Sequence, residues 1–393
     1  MKMKTTLLAA AALSLLSTTA SAVDWGGYLR VGPGQKQNSP DSRHCFDGGS
    51  DGGHGGIGRL GNECNTYGEF ALSQGGESTG GISYKALLMA NFYNSGSDPG
   101  GNTTAVNQVY VEGKGFDLAP NQTFWVGRRF YHRADVHFDD TFFVNMTGSG
   151  AGVDGFDLGF GALSLAVFRT NDSGTTVGSN PNPGTRFNVD LEGIKVNPGG
   201  KLRITGDFTK FSGTNGKSGV GVSLQHNQSG FFGGDNTFWA QYAQGSAYLD
   251  MGFGGATDDS SKKRWRLVES PSWTKGPLTA QGLLEFGQEK TGSNKRKYNS
   301  IAGRVAYAFT KNFKLQGELG TSNFKWNSGD PTQSVTKLTI APTLSAGPNY
   351  YDRPELRLYV STYSFNDAYR LNSLGGYGKK SQSAVGVQAE IWF

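Results

Sequence analysis

The sequence predicts an all-β fold, a transmembrane antiparallel β-barrel, and three features carry that prediction. The first is alternation, which runs to the last residue of the chain. Val385, Val387, Ala389, Ile391 and Phe393 share one face of a strand, and Gly386, Gln388, Glu390 and Trp392 share the other. One apolar face and one mixed face suit a wall between lipid and water. The second is an N-terminal export signal followed by no apolar run of the roughly 18 residues that a membrane helix needs. The third is composition: 60 glycines and 12% aromatics, without helical periodicity, fit many strands and turns. The mean hydropathy of −0.44 looks like that of a soluble protein. Barrels look the same, because only alternate residues meet lipid. The competing folds, a soluble β-sandwich or β-helix, have no need of an apolar and a mixed face on every strand.

Taken in order, residues 1–22 read as a signal peptide. Lys2 and Lys4 form a basic region, Leu7 to Leu16 an apolar core, and Ala20-Ser21-Ala22 a small-x-small cleavage site. The apolar run is short for a membrane anchor. The expected mature chain is Val23 to Phe393, a single barrel domain without a linker or composition shift. Residues 1–22 carry two lysines and no acid, so removing them lowers the formal charge from +5 to +3. That is too small to suggest nucleic acid or an anionic surface as a partner.

In the first strand Trp25, Gly27, Leu29 and Val31 oppose Gly26, Tyr28 and Arg30. A glycine-rich stretch, Asp47 to Gly58, then lies between Cys45 and Cys64. In an exported chain an isolated cysteine pair reads as a disulfide, and cross-linking a loop of high chain entropy has a clear use. A metal site is the rival reading, since His54 lies between the thiols. Further along, Thr66, Gly68, Phe70 and Leu72 oppose Asn65, Tyr67, Glu69 and Ala71. Phe156, Leu158 and Phe160 share a face, as do Leu163, Leu165 and Val167, and the parity change at Gly161-Ala162 predicts a two-residue turn in a hairpin over 153–169. Leu356, Leu358 and Val360 oppose Arg357, Tyr359 and Ser361. The connectors Asn94–Asn102, Asn171–Pro183 and Asn366–Lys380 are long and polar. Tight turns alternating with long loops are the porin arrangement, short on the periplasmic side and extended outside. At roughly 20 residues per strand and connector the mature chain holds about 16 to 18 strands, enough for an aqueous channel.

Signals of catalysis fail one by one. Gly53-His54-Gly55-Gly56-Ile57-Gly58 matches a dinucleotide fingerprint without the strand-to-helix context that gives it meaning. Gly216-Lys217-Ser218 ends like a phosphate loop, but Phe211 stands where its first glycine belongs. No nucleophile elbow or zinc-protease motif occurs, and the five histidines are scattered. Asp139 and Asp140 are adjacent, so as strand residues they would point apart, unlike a paired acid and base. The expectation is a protein that is not an enzyme and needs no cofactor or metal.

Several blocks carry a resemblance to a known family. They are Val23 to Arg30, Arg59 to Glu69, Trp125 to His137, Gly148 to Gly152, Leu158 to Ala166, Asn197 to Gly200, Tyr351 to Pro354, and the terminal Glu390-Ile391-Trp392-Phe393. Dense over 23–170 and patchier beyond, they resemble the maltoporin family of sugar-specific outer-membrane porins. The resemblance implies an 18-stranded barrel, one loop folded into the lumen over Arg133 to Asn145, a homotrimer in the outer membrane of a Gram-negative bacterium, and passive uptake of oligosaccharides. It implies an aromatic slide on which pyranose rings stack: Tyr28, Tyr67, Tyr351, Trp392 and one of Phe231 or Phe232. It also implies a polar track that trades hydrogen bonds with sugar hydroxyls: Arg30, Arg59, Glu69, Arg133 and Asp140, with Asp135 near by. The pairing of Cys45 with Cys64 would be the first-loop disulfide.

A pyranose has an apolar face that suits an aromatic ring and a rim of hydroxyls that suits charged side chains. Alternation independently puts Tyr28, Tyr67 and Trp392 on the mixed face. The chain also departs from the family. Phe142 stands at a constriction tyrosine, Asn145 at a track aspartate, Asn107 at a track arginine and Tyr351 at a slide tryptophan; no tryptophan occurs around Asn94–Gly101. These changes open a second reading, a general-diffusion or weakly ion-selective porin with a decayed sugar site. Plainer roles are also available: Arg59 as solvated lining, Tyr28 and Tyr67 as interfacial girdle, Trp392 as packing for the inward loop. An outer-membrane enzyme or adhesin on a barrel is the third reading, disfavoured by the missing catalytic arrangement and the lack of an extra soluble domain. Phage are a further candidate partner, through the external loops.

Overall fold

The computed structural model describes residues 23–37, 56–94, 103–170, 182–372 and 379–393. The signal segment, Cys45, His54 and most of the connectors near 95–102 and 171–181 lie outside the described residues. Eighteen strands, each antiparallel to its sequence neighbour, form one closed barrel. Closure joins the first strand, Asp24–Val31, to the last, Ser381–Trp392, with Tyr28 opposite Trp392 and Arg30 opposite Glu390. The first strand breaks at Gly32-Pro33 and resumes as Gly34–Lys36, still paired with the last. At Gly32 the backbone approaches so closely that a Cβ would lie 2.0 Å from the Val387 carbonyl oxygen, which explains a residue without one at the break.

The predicted parity holds around the wall. Val126, Ile301 and Leu358 point outward and are exposed, whereas Arg357, Glu390 and Glu318 on the inner face are buried. Connections are asymmetric as expected. One rim carries tight turns such as 117–118, 198–199 and 276–277, and the other carries long connections such as 130–147 and 246–262. Two exceptions cross the pattern: residues 292–293 make a tight turn on the long-loop rim, and 346–354 a long connection on the short-turn rim. Outward-facing aromatics, Trp25, Tyr307, Phe309 and Phe313, gather at the short-turn rim, where amphipathic rings meet the membrane interface.

The hairpin expected over 153–169 needs correcting. Its strands are Gly148–Asp157 and Ala162–Thr170, and Leu158-Gly159-Phe160-Gly161 form a four-residue turn. Leu158 and Phe160 are therefore turn residues. The Asp157 carboxylate accepts from the Gly159 amide at 2.7 Å and Gly159 sits at φ 82°, so the chain reverses earlier than parity suggests.

Three segments enter the lumen, where one was expected. The first is the expected one, a small hairpin of Ala134–Val136 and Thr141–Val144. It seats Val136, Phe138 and Phe143 against Trp239, Val268 and Leu283 of the inner wall, with Phe143 stacked on Trp239 at 5.0 Å. The second is 56–65. Ile57 and Leu60 are buried, the Lys337 ammonium donates to the Gly58 carbonyl at 2.7 Å, and the Leu60 amide donates to Glu318 at 2.9 Å. Gly320 makes room for it, since a Cβ there would lie 2.5 Å from the Ile57 Cα. The third is 246–262, which buries Leu249 and Met251 and accepts the Asn145 amide on the Asp250 carbonyl at 2.7 Å.

Candidate functional site

A cavity of about 600 Å³ lies in the lumen between the inner wall and the inward hairpin. The predicted Tyr28, Tyr67, Arg30, Glu69, Arg133 and Asp140 all line it. Five adjacent strands position its wall. Arg30 lies opposite Tyr67 and Tyr67 opposite Tyr93, so an aromatic row climbs the wall by cross-strand register. Its ring centroids are 6.0 Å apart from Tyr28 to Tyr67 and 6.5 Å from Tyr67 to Tyr93. A bulge at Asn107, opposite Met89 and Ala90, aims that amide inward. It donates to Glu69 at 3.0 Å and to the Tyr67 hydroxyl at 3.3 Å, while Tyr67 donates to Glu69 at 2.5 Å.

The other side of the cavity is built by the loop. The Arg133 guanidinium lies 3.3 Å from the Phe130 ring centre and 4.7 Å from that of Phe142. Its Nε donates to Asn145 at 3.2 Å and Thr147 at 3.0 Å. Asp139 and Asp140 occupy the hairpin turn and are not strand residues; Asp140 is at φ 55°. They do different things. Asp140 lines the cavity, 3.8 Å from both Arg30 and Arg59. Asp139 is buried away from it and accepts from Thr141 at 2.8 Å, and burial pushes its carboxyl up to about 6.

Arg59 is neither solvated lining nor part of the cavity surface. Only 8% exposed, it bonds Glu63 at 2.9 Å, Glu390 at 3.0 Å and the Tyr28 hydroxyl at 2.8 Å. Tyr28 in turn donates to Glu390 at 2.9 Å, so this tyrosine is held by the ion-pair network beneath it. That network continues through Arg353 and Arg357, both on Glu390, and through Glu355 and Lys314.

Towards the short-turn rim the aromatic line continues past the cavity. Trp392 neighbours Tyr28 in register. It meets the His137 ring edge-on at 5.4 Å, and Arg353 lies over it at 4.1 Å. Trp392 therefore does pack on the inward loop, as the plainer reading held, while facing the lumen. Tyr351 follows, 5.6 Å from His137 and 54% exposed. Phe231 and Phe232 stand apart, in contact with each other at 4.8 Å at a tight turn of the short-turn rim; Phe232 is 87% exposed, at φ 47°. Neither lines the cavity, nor does the exposed Asp135. Cys64 is buried with its Sγ 2.8 Å from the Tyr359 hydroxyl; its expected partner, Cys45, lies outside the described residues.

Sequence reasoning missed Asn91, Tyr93, Arg128, Phe130 and Thr147, which also line the cavity. Asn91 and Tyr93 had a readable signal, for they share the inward parity of their strand, Ser83–Asn94. Phe130 and Thr147 had none, since they sit at the two ends of a connection whose path tertiary contacts decide. Among the described residues no three His, Cys, Asp or Glu side chains gather to hold a metal.

With this geometry in place, comparison with known proteins gives a family and a fold. A family model described as LamB porin matches residues 23–393. Solved structures with the same architecture include Acinetobacter baumannii OccAB1, with a TM-score of 0.54 at 9% identity over 94% of this chain and 97% of that one. Pseudomonas aeruginosa OccD3 (OpdP) is similar, with a TM-score of 0.52 at 9% identity over 96% and 92%. P. aeruginosa OpdQ has a TM-score of 0.52 at 7% identity over 94% and 98%.

Proposed function

The chain belongs to the LamB porin family, and from that premise we propose that it is a sugar-selective outer-membrane porin, moving oligosaccharides of the maltodextrin kind down their gradient. In this reading it carries out no covalent chemistry and needs no cofactor. It is exported from a Gram-negative cell's cytoplasm by residues 1–22, stapled by Cys45 and Cys64, and assembled as a homotrimer.

The supporting observation is the aromatic row Tyr93, Tyr67, Tyr28 and Trp392, which follows strand register along the lumen beside a band of charged and amide groups. Each ring offers a stacking platform for a pyranose face, and Glu69, Asn107 and Arg133 offer donors and acceptors to its hydroxyls. Successive weak platforms let a sugar chain advance by exchanging one contact for the next, strong enough to admit it and weak enough to release it.

A specific observation favours the general-diffusion alternative. Arg30 and Arg59 are nearly buried and committed to Glu63, Glu390 and Asp140, so part of the expected polar track has little left to offer a sugar. Planar-bilayer conductance separates the two readings. Titration with maltotriose through maltohexaose, sucrose and a β-linked oligosaccharide should give saturable current block by one series, weakened in Trp392→Ala and Tyr28→Ala. An open current that no saccharide blocks would leave a general porin.

A further inference from the structure

We propose that the lumenal cavity prefers saccharides bearing an anionic group, a carboxylate or phosphate on the sugar, and that Arg128 and Arg133 recognise it. This rests on the sugar-channel reading above and names the substrate class of that site.

Both guanidinium groups line the cavity, and among the described residues neither forms an ion pair. Arg133 spends only its Nε, on the neutral oxygens of Asn145 and Thr147. Its two terminal nitrogens make no hydrogen bond within the described chain. The group is nonetheless held in place, lying over the rings of Phe130 and Phe142. A stacked guanidinium presents its N–H edge, the geometry that binds carboxylate or phosphate in a forked pair. Arg128 likewise uses only its Nε, on the Asn107 carbonyl at 3.1 Å, and is exposed on the cavity wall.

The opposing acids do not cancel these charges. Asp140 lies against Arg30 and Arg59, so its charge is met on its own side of the cavity. Glu69 is the remaining acid, and its hydrogen bonds come from Tyr67 and Asn107. Beyond the Arg30–Asp140 contact, two guanidiniums thus face one carboxylate across a cavity whose remaining lining is aromatic rings, amides and the Thr147 hydroxyl. A neutral sugar would leave terminal N–H groups to water. A sugar carrying a carboxylate or phosphate replaces that water with charge-assisted bonds while its ring stacks on Tyr67 or Tyr93.

The test is current block in planar bilayers at 0.1 M salt, comparing tri- to hexagalacturonate with maltotriose to maltohexaose, and maltose phosphate with maltose. The acidic sugars should block at concentrations at least about tenfold lower than neutral sugars of the same length, and the gap should narrow at 1 M salt as charge is screened. Arg128→Gln and Arg133→Gln should each reduce the gap and the double variant abolish it, whereas Arg133→Lys should keep part of it. Arg128 is the exposed position of the two, and retained trypsin resistance together with the heat-dependent shift in electrophoretic mobility verifies folding of each variant. A preference for galacturonate alone, or for the phosphate alone, supports the proposal and identifies which anion the fork takes. Equal or tighter block by neutral sugars overturns this proposal and leaves the sugar-channel reading standing, as does an acid preference that survives the double variant. Absence of block by any saccharide overturns both.

Discussion

At the scale of single residues, the proposed sugar-channel reading is tested most directly at one aromatic position. Tyr67 stands in the middle of the row, between Tyr28 and Tyr93. A stacking contact is worth about 1 kcal/mol beyond burial, so Tyr67→Ala should weaken current block by the preferred saccharide about 5- to 10-fold. Open-channel conductance should rise modestly, because Tyr67 also fills space. The other telling residue is Asp139. Its carboxyl has an ordinary value near 4 in the unfolded chain and titrates at about 6 in the fold, because burial disfavours its charge. The folded state therefore binds the proton more tightly, and stability falls as pH rises from about 4 to 6. Asp139→Asn should remove that loss. The thermal midpoint of the variant relative to wild type should improve by the equivalent of about 2 to 3 kcal/mol between pH 4 and pH 7; a constant difference across that range would show that Asp139 does not titrate there. Of these residues Tyr28 and Tyr67 were legible from parity alone, while Asp139 was misread as a strand residue because a two-residue step cannot reveal a turn.

At the scale of elements, the inward hairpin lines the cavity and the 56–65 segment packs on the inner wall, and each is anchored by partners remote in sequence. Phe143 is fully buried against Trp239. Phe143→Ala should cost about 3 to 5 kcal/mol, spent locally on undocking the hairpin. Single-channel records should then show a larger, noisier open current and weaker sugar block; an unchanged, quiet current would mean that other contacts hold the hairpin. The 56–65 segment depends on Lys337, whose ammonium sits between Glu318 and the Gly58 carbonyl at 2.6 and 2.7 Å. Lys337→Met leaves Glu318 paired with Arg304 at 2.6 Å but removes the donor to Gly58, and should destabilise by about 1 to 3 kcal/mol, seen as a lowered thermal midpoint; an unchanged midpoint would show that other contacts hold the segment. The strands themselves were legible because alternation is local. Which loops turn inward was not, because Gly58 and Lys337, or Asn145 and Asp250, meet only after the barrel has closed.

At the scale of the whole molecule, the closing seam carries both architecture and site. The register of Tyr28 with Trp392 and Arg30 with Glu390 joins the two ends of the chain. It also places the aromatic line over the carboxylate that binds Arg59, Arg353 and Arg357. An open sheet in lipid would leave two rows of backbone groups unpaired. Deleting residues 381–393 should therefore abolish assembly in detergent micelles, read as loss of trypsin resistance and of the heat-dependent shift in electrophoretic mobility. A truncated chain that still assembles would show that the seam is dispensable.

Period-two alternation and the spacing of turns determined a barrel of this size and the side of the wall on which Tyr28, Tyr67, Arg30 and Trp392 lie, since side-chain direction in a strand follows from backbone geometry between neighbours. Tertiary structure alone decided that Arg59 is a buried brace, that three segments fill the lumen, and that Phe130 and Thr147 join the cavity. Those outcomes depend on contacts across hundreds of residues of chain, whose free energy exists only once register and closure have brought the partners together.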